Sequence, residues 1–148
     1  MNRSPAPTGD EGSAIVEFLG VALLLLVPVV YLVLVLGQLQ AAAFAVEGAA
    51  RQGARALVAA DDEATGLQRA IASVGIALGD QGFTDPPEES TTVACPGSCV
   101  VPGGSATVTV GIDVVLPGVP GWLQDVVPLT VPVEATATAQ RDSFVGIG

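Results

Sequence analysis

Residues 10–40 read DEGSAIVEFLGVALLLLVPVVYLVLVLGQLQ. From Phe18 to Gly37 no side chain carries a charge. That run of about 20 residues is long enough to cross ~30 Å of hydrocarbon as a helix. Its aliphatic residues fall on every side of such a helix, which suits lipid or a fully enclosed bundle. Pro28 removes one N–H in mid-run and predicts a kink or an opened turn, a disruption that membrane helices tolerate. One carboxylate, Glu17, stands at the head of the run. Beside lipid that charge is costly unless a partner neutralises it.

Three readings of the segment follow. It serves as a plain signal anchor. Or it is a cleaved secretory signal, with Ala43 and Ala45 placed for a cut before Val46. Or Glu17 has work to do. If the chain is cut between Gly12 and Ser13, the new terminus begins Ser-Ala-Ile-Val-Glu-Phe, an amine followed four residues later by Glu17. Helices stacked with an axial offset then bring one Glu17 to the next chain's amine, and both charges are neutralised among apolar helices.

A short hydrophilic leader ending in glycine, then GSAIVEF and a proline-containing aliphatic run, resembles the type IV pilin-like leader. It is most similar to the TadE-like family, minor pseudopilins of the tight-adherence (Flp) pilus system. The resemblance implies cleavage by a prepilin peptidase on the cytoplasmic face, with Gly12 before the cut and Ser13 after it. It implies that Glu17 acts in subunit assembly. Its expected partners are membrane lipid, the peptidase, other pilin or pseudopilin subunits and the assembly platform. It implies a single-pass protein of the cell membrane, N-terminus cytoplasmic and C-terminal domain extracytoplasmic. The expected organisation is a leader (1–12), a transmembrane helix (13–37), a helical stem with a second helix (38–79) and a small exported β domain (80–148).

Beyond the apolar run, QLQAAAFAVEGAARQGARALVAA (38–60) has no proline and is rich in alanine, the best helix former. Helix is expected to continue through it. Glu47, Arg51 and Arg55 recur every four residues as one polar stripe, and Glu47 precedes Arg51 in the favourable ion-pair order. Ala41, Ala45, Ala49 and Gly53 form a ridge with almost no side chain. It is either a packing seam, against a partner helix or the chain's own sheet, or a by-product of alanine abundance. Asp61, Asp62 and Glu63 suit the start of a new helix. There Leu67, Ala70, Ile71, Val74 and Leu78 define an apolar face, with Gly79 as the expected stop.

Residues 79–92 read as a turn-rich acidic connector. Asp80, Asp85, Glu88 and Glu89 lack the spacing of an EF-hand. Cys95 and Cys99 bracket Pro-Gly-Ser, a reversal that can bring the sulfurs together. The three-residue spacer favours a local structural disulfide over a redox pair, and a disulfide fits an exported domain. Then Val108, Val110, Ile112 and Val114 alternate with Thr107, Thr109, Gly111 and Asp113. Leu129, Val131, Val133, Ala135 and Ala137 alternate with Thr130, Pro132, Glu134, Thr136 and Thr138. Each is a half-buried strand, and Pro132, lacking a ladder donor, places the second at an edge or at its outward-bonding face. Thr91 to Cys95 add a short third strand. Between the long strands Trp122 and Leu123 form an apolar tip, either a lid on the core or an exposed contact. The expected fold is α+β: a long N-terminal helix, an amphipathic helix and a small antiparallel sheet of about three strands, a pilin-like plan.

Fifteen acidic residues stand against five arginines in 148 residues, with no lysine or histidine and a net charge of −10. Such a surface repels phosphate backbones, so nucleic-acid binding is not expected. The lack of histidine removes the commonest acid–base catalyst and metal ligand. Two cysteines cannot make a four-ligand zinc site, and no nucleophile elbow, phosphate loop or zinc-protease motif is present. Neither enzyme, metal nor cofactor is expected. A carboxylate-only hydrolase would need two of Asp61, Asp113, Asp125 and Glu134 to converge. The main rival to assembly is a secreted or membrane-anchored extracellular binding domain whose apolar segment serves only for export.

Overall fold

The computed structural model describes residues 11–118 and 129–143. The element order is α1 (Glu11–Val58), α2 (Glu63–Asp80), α3 (Pro87–Ser90), β1 (Thr91–Ala94), β2 (Ser105–Val115) and β3 (Thr130–Gln140). The architecture is the expected α+β one. Trp122, Leu123 and Asp125 lie outside the described residues. The chain divides into two compact units between Leu36 and Gly37.

In the first unit α1 runs through Pro28 without interruption. It holds one stretch long and apolar enough to cross a membrane, none of it buried by the rest of the protein. Phe18 is 72% exposed, and the valines and leucines that follow are exposed all round the helix. A helix apolar on every side and covered on none is suited to lipid.

The second unit contains the rest of α1, now one-sided. Ala42, Ala45, Val46, Ala49, Ala50, Ala54, Leu57 and Val58 are buried, the three-and-four spacing of a core-facing stripe. They join Val74, Ala77 and Leu78 of α2 and Val108, Val110, Ile112 and Val114 of β2 in the core. Asp62 caps α2: its carboxylate accepts from the Thr65 backbone N–H at 2.9 Å and the Thr65 hydroxyl at 2.8 Å.

The buried face of α2 is Gly66, Ala70, Val74, Ala77 and Leu78. Leu67, expected inside, is 42% exposed, and Ile71 is half-buried. The reason is Gly66. A Cβ there would stand 3.0 Å from the Leu57 carbonyl and 3.2 Å from the Ala60 Cβ. The bare backbone therefore takes the contact with the end of α1 and turns Leu67 outward. Nor does α2 stop at Gly79. It runs to Asp80 and ends through Gly82 at φ +83°, while the Phe83 N–H bonds the Leu78 carbonyl at 3.0 Å. Only glycine takes that left-handed conformation cheaply.

The sheet order is β1-β2-β3, antiparallel throughout, with Val108 opposite Val93 and Ala137. β1 ends at Ala94, one residue short of the cysteine assigned to it. The connector before it contains α3, a single turn entered through Pro86-Pro87. One sheet face lies on the helices. The other shows threonines, with hydroxyl pairs Thr107–Thr138 and Thr109–Thr136 at 2.9 Å. The Leu116 N–H bonds the Leu129 carbonyl and the Arg141 N–H bonds the Gly104 carbonyl, both continuing the β2–β3 register. Odd residues of β3 therefore bond to β2, and even ones point their backbone groups outward. Pro132 is even, so its missing N–H costs the ladder nothing.

Two predictions follow from this packing. Gly53→Val overpacks the contact with Val74 and Val108 and destabilises the domain by about 1–3 kcal/mol, seen as faster amide exchange in β2 of the full chain in detergent. The Thr65 backbone N–H, then its hydroxyl, hold the Asp62 carboxyl below its ordinary value. Its contribution to stability is therefore complete above the unfolded pKa of about 3.9 and is lost as pH falls through the lower native value. Asp62→Ala should speed exchange in the first turn of α2 at neutral pH, and the difference from wild type should vanish in strong acid.

Candidate functional site

The residues singled out by sequence fall at three places. The first is the head of α1. Gly12 and Ser13 lie in its first turn, and Glu17 lies one turn further on. The Glu17 side chain is exposed and makes no ion pair among the described residues. Around it Val16 and Phe18 are 70% and 72% exposed. Ser13, Glu17 and Val21 share one helix face by their four-residue spacing. Gly20, three residues after Glu17, has nothing within 4 Å of where its Cβ would be. A neighbouring helix can approach closely beside the carboxylate.

The second place is the small-residue ridge. Ala45 and Ala49 are buried in the core, Gly53 is also buried and Ala41 half-buried. At Gly53 a Cβ would meet Val74 Cγ2 at 3.0 Å and Val108 Cγ1 at 3.3 Å. The ridge is a packing seam for this chain's own α2 and β2. A partner helix must therefore use another face of the stem. Exposed residues of that other face include Phe44, 71% exposed, and Arg51 and Arg55. Arg51 pairs with Glu47.

The third place is the cysteine loop. Cys95 and Cys99 form a disulfide with Cα atoms 5.4 Å apart. Cys99 is fully buried with Leu57, Val58, Ala70 and Ala106. The Cys99 N–H donates to Glu63 Oε1 at 3.1 Å, tying the loop to the start of α2. Gly104 closes the loop against backbone: a Cβ there would lie 2.5 Å from the Ser98 carbonyl oxygen.

Two of the four candidate carboxylates, the number a hydrolase would need, do line one cavity. Asp113 and Glu134 line a cavity of about 360 Å³ with Asp85 and Glu89. Asp61 lies elsewhere. Both side chains are exposed, and no cation lines the cavity. Among the described residues no group of three or more acidic, cysteine or histidine side chains could hold a metal ion.

Sequence reasoning missed one residue that fixes the domain. The Arg141 guanidinium donates to the Val58 carbonyl at 3.2 Å and to that of Ala60. It thus satisfies carbonyls at and just beyond the C-terminus of α1, where a cation is favoured. A lone arginine after a strand pattern signals nothing of a contact more than 80 residues away in sequence.

The fold and these sites define an α+β protein with one N-terminal helix compatible with a membrane span. No protein-family model, curated protein or solved structure matches the chain. The cysteine loop yields a direct prediction. Replacing Cys95 and Cys99 together by serine should cost about 2 kcal/mol, the loop-entropy value for so short a ring. Amide exchange at Cys99 and in the first turn of α2 should accelerate, and the native protein should resist maleimide until reduced.

Proposed function

We propose that the chain is a pseudopilin-like membrane protein of a type IV-related (Tad/Flp) system, acting in assembly of a pilus or secretion apparatus. The observation that carries this reading is Glu17. It is an exposed carboxylate without an ion-pair partner among the described residues, at the head of an uncovered apolar helix and four residues after Ser13. Such a charge needs a cation from outside the chain. The amine freed by a prepilin peptidase between Gly12 and Ser13 of a neighbouring subunit supplies one. On this reading the leader stays cytoplasmic, residues 13–37 hold the membrane and the sheet domain is extracytoplasmic. The disulfide supports that compartment. The mechanism is assembly rather than turnover.

The secretory rival meets an obstacle in the core. A cut before Val46 would strip Ala42 and Ala45, both buried in the hydrophobic core. It would also remove Gln38, whose side-chain amide donates to the Val115 carbonyl at 3.2 Å. An export signal that supplies part of the exported core is a poor design for removal.

The test is the N-terminal residue of protein purified from its native membrane, by intact mass and peptide sequencing, together with Glu17→Ala. The expected start is Ser13. Glu17→Ala should leave anchoring intact and lower incorporation into assemblies by about a hundredfold or more, since breaking a buried ion pair costs about 3–5 kcal/mol. A start at Met1, or unchanged incorporation of the variant, would overturn the proposal. A start at Val46 would establish the secreted rival.

A further inference from the structure

The three-stranded sheet has two margins of unlike character. One is the outer edge of β3, 11 residues long. Its outward groups are the N–H of Thr130, Glu134, Thr136, Thr138 and Gln140 and the carbonyls of all six even residues. Among the described residues no strand pairs with them. Pro132 and Glu134 blunt the first half, as edges commonly are blunted. The second half is bordered by cations: Arg51 and Arg55 line a cavity of about 360 Å³ with Glu47 and residues Thr136, Ala137, Thr138 and Ala139. Arg51 is tied to Glu47, while Arg55 has no ion-pair partner among the described residues.

The opposite margin is acidic. There α3, which leads into β1, carries Glu88 and Glu89, and Asp85 precedes it; Asp85 and Glu89 line a cavity that runs past Asp113 of β2 as far as Glu134 of β3. Glu88, Glu89 and Asp113 are exposed.

We propose that the β3 edge of one copy docks on the α3–β1 margin of the next, joining copies side by side through one continuous sheet. Three observations select this occupant. The charges are complementary, Arg51 and Arg55 against Asp85, Glu88 and Glu89. The strand directions agree: β1 and β3 are both antiparallel to β2, so they run the same way and successive stems point in one direction. The backbone parities also agree. Even residues of β2 bond to β3, so its odd residues Thr107 and Thr109 bond to Ala94 and Thr92, leaving Thr91 and Val93 of β1 pointing outward. A parallel ladder seats each of those between two even residues of β3, with the core faces on the same side. A two-fold pairing of β3 with its own copy lacks this fit, because it sets the arginines of one copy against those of the other. A head-to-tail contact of this kind propagates into a ring or a filament. The inference deepens the assembly reading, on which it rests for copies sharing one membrane.

The test places a photo-activatable benzoylphenylalanine at exposed Thr138 of the full chain in its membrane. Copies labelled with heavy nitrogen are mixed with unlabelled ones, and adducts are mapped by mass spectrometry. The expected adduct joins Thr138 of one copy to residues 85–94 of another. Arg51→Glu with Arg55→Glu should lower its yield by about tenfold, the effect of ~1.4 kcal/mol of lost pairing. Glu88→Arg with Glu89→Arg on the neighbouring copies should restore it. These are exposed positions, and unchanged amide exchange in β2 checks that the variants fold. An adduct to β3 of the second copy, an adduct to a different protein, or none would overturn the proposal. So would a reversed pair that is not rescued. The two readings fail separately: the expected adduct in a chain that starts at Met1 leaves this interface standing without pilin processing, and a Ser13 start without the adduct does the reverse.

Discussion

The domain depends on how closely α1 approaches the sheet. At Gly53 a single added carbon would come within 3.0 Å of Val74 and 3.3 Å of Val108. Helix, helix and strand therefore meet where one of them has no side chain. Alanines at 42, 45, 49, 50 and 54 keep the rest of that face low. A larger residue on the stripe would lift α1 off β2 and open a void that the small valines of the strand cannot fill. Other elements are arranged around this contact. Arg141 secures the end of α1, Gly66 lets α2 turn back against it, and Cys99 seals the corner beneath Ala70 and Ala106.

Local rules made most of this legible. The strict alternation from Thr107 to Val114 named both sheet faces. Pro132 named an edge strand, and its even position in the ladder shows why it is tolerated there. The acids before Glu63 announced a helix start, which Asp62 supplies. What stayed hidden depends on distant pairs. Leu67 belongs to the apolar stripe by spacing, but the Gly66 contact with Leu57 rotates that stripe by about one residue. Gly79 is a reasonable stop by composition, yet Gly82 has the positive φ that ends a helix. The ridge at Ala41, Ala45, Ala49 and Gly53 was visible as a seam. Its partner was not, because small residues fit a sheet and a helix equally well. Glu17 is the opposite case: its position at the head of the apolar run is fully legible, since the run is local, and the structure adds its exposure.

One helix has two kinds of surface. From Phe18 to Leu36 it is apolar on every side and uncovered among the described residues. From Gln38 onward it has a buried face and a polar face. The change is made by composition within about two turns: bulky aliphatics give way to alanine, and Glu47, Arg51 and Arg55 appear on the outer side. Leucine in the first part and alanine in the second favour helix, and the backbone ladder runs through both. Pro28 lies in the apolar part, where helices best tolerate a lost N–H. The same residue in the stem would fall beside the Gly53 contact and disturb the packing on which the sheet rests.

Charge then limits how copies of this chain can meet. At a net charge of −10 they repel one another at long range, and that repulsion is screened beyond roughly 8 Å at physiological salt. Association must come from short-range contacts at the few cationic places. Arg141 is engaged with the carbonyls at the end of α1. Arg69 is exposed on α2. Arg51 and Arg55 border the unpaired backbone of β3 at Thr136 and Thr138. Arginines beside a free edge could serve only to keep other strands off, as edge charges often do. Protection of that kind works by repelling basic strands and by the cost of desolvating an unpaired charge against neutral ones. Against a chain whose own opposite margin is acidic, the same two arginines attract. The sign of the surface around them, more than the arginines themselves, makes this edge a place for joining rather than for exclusion.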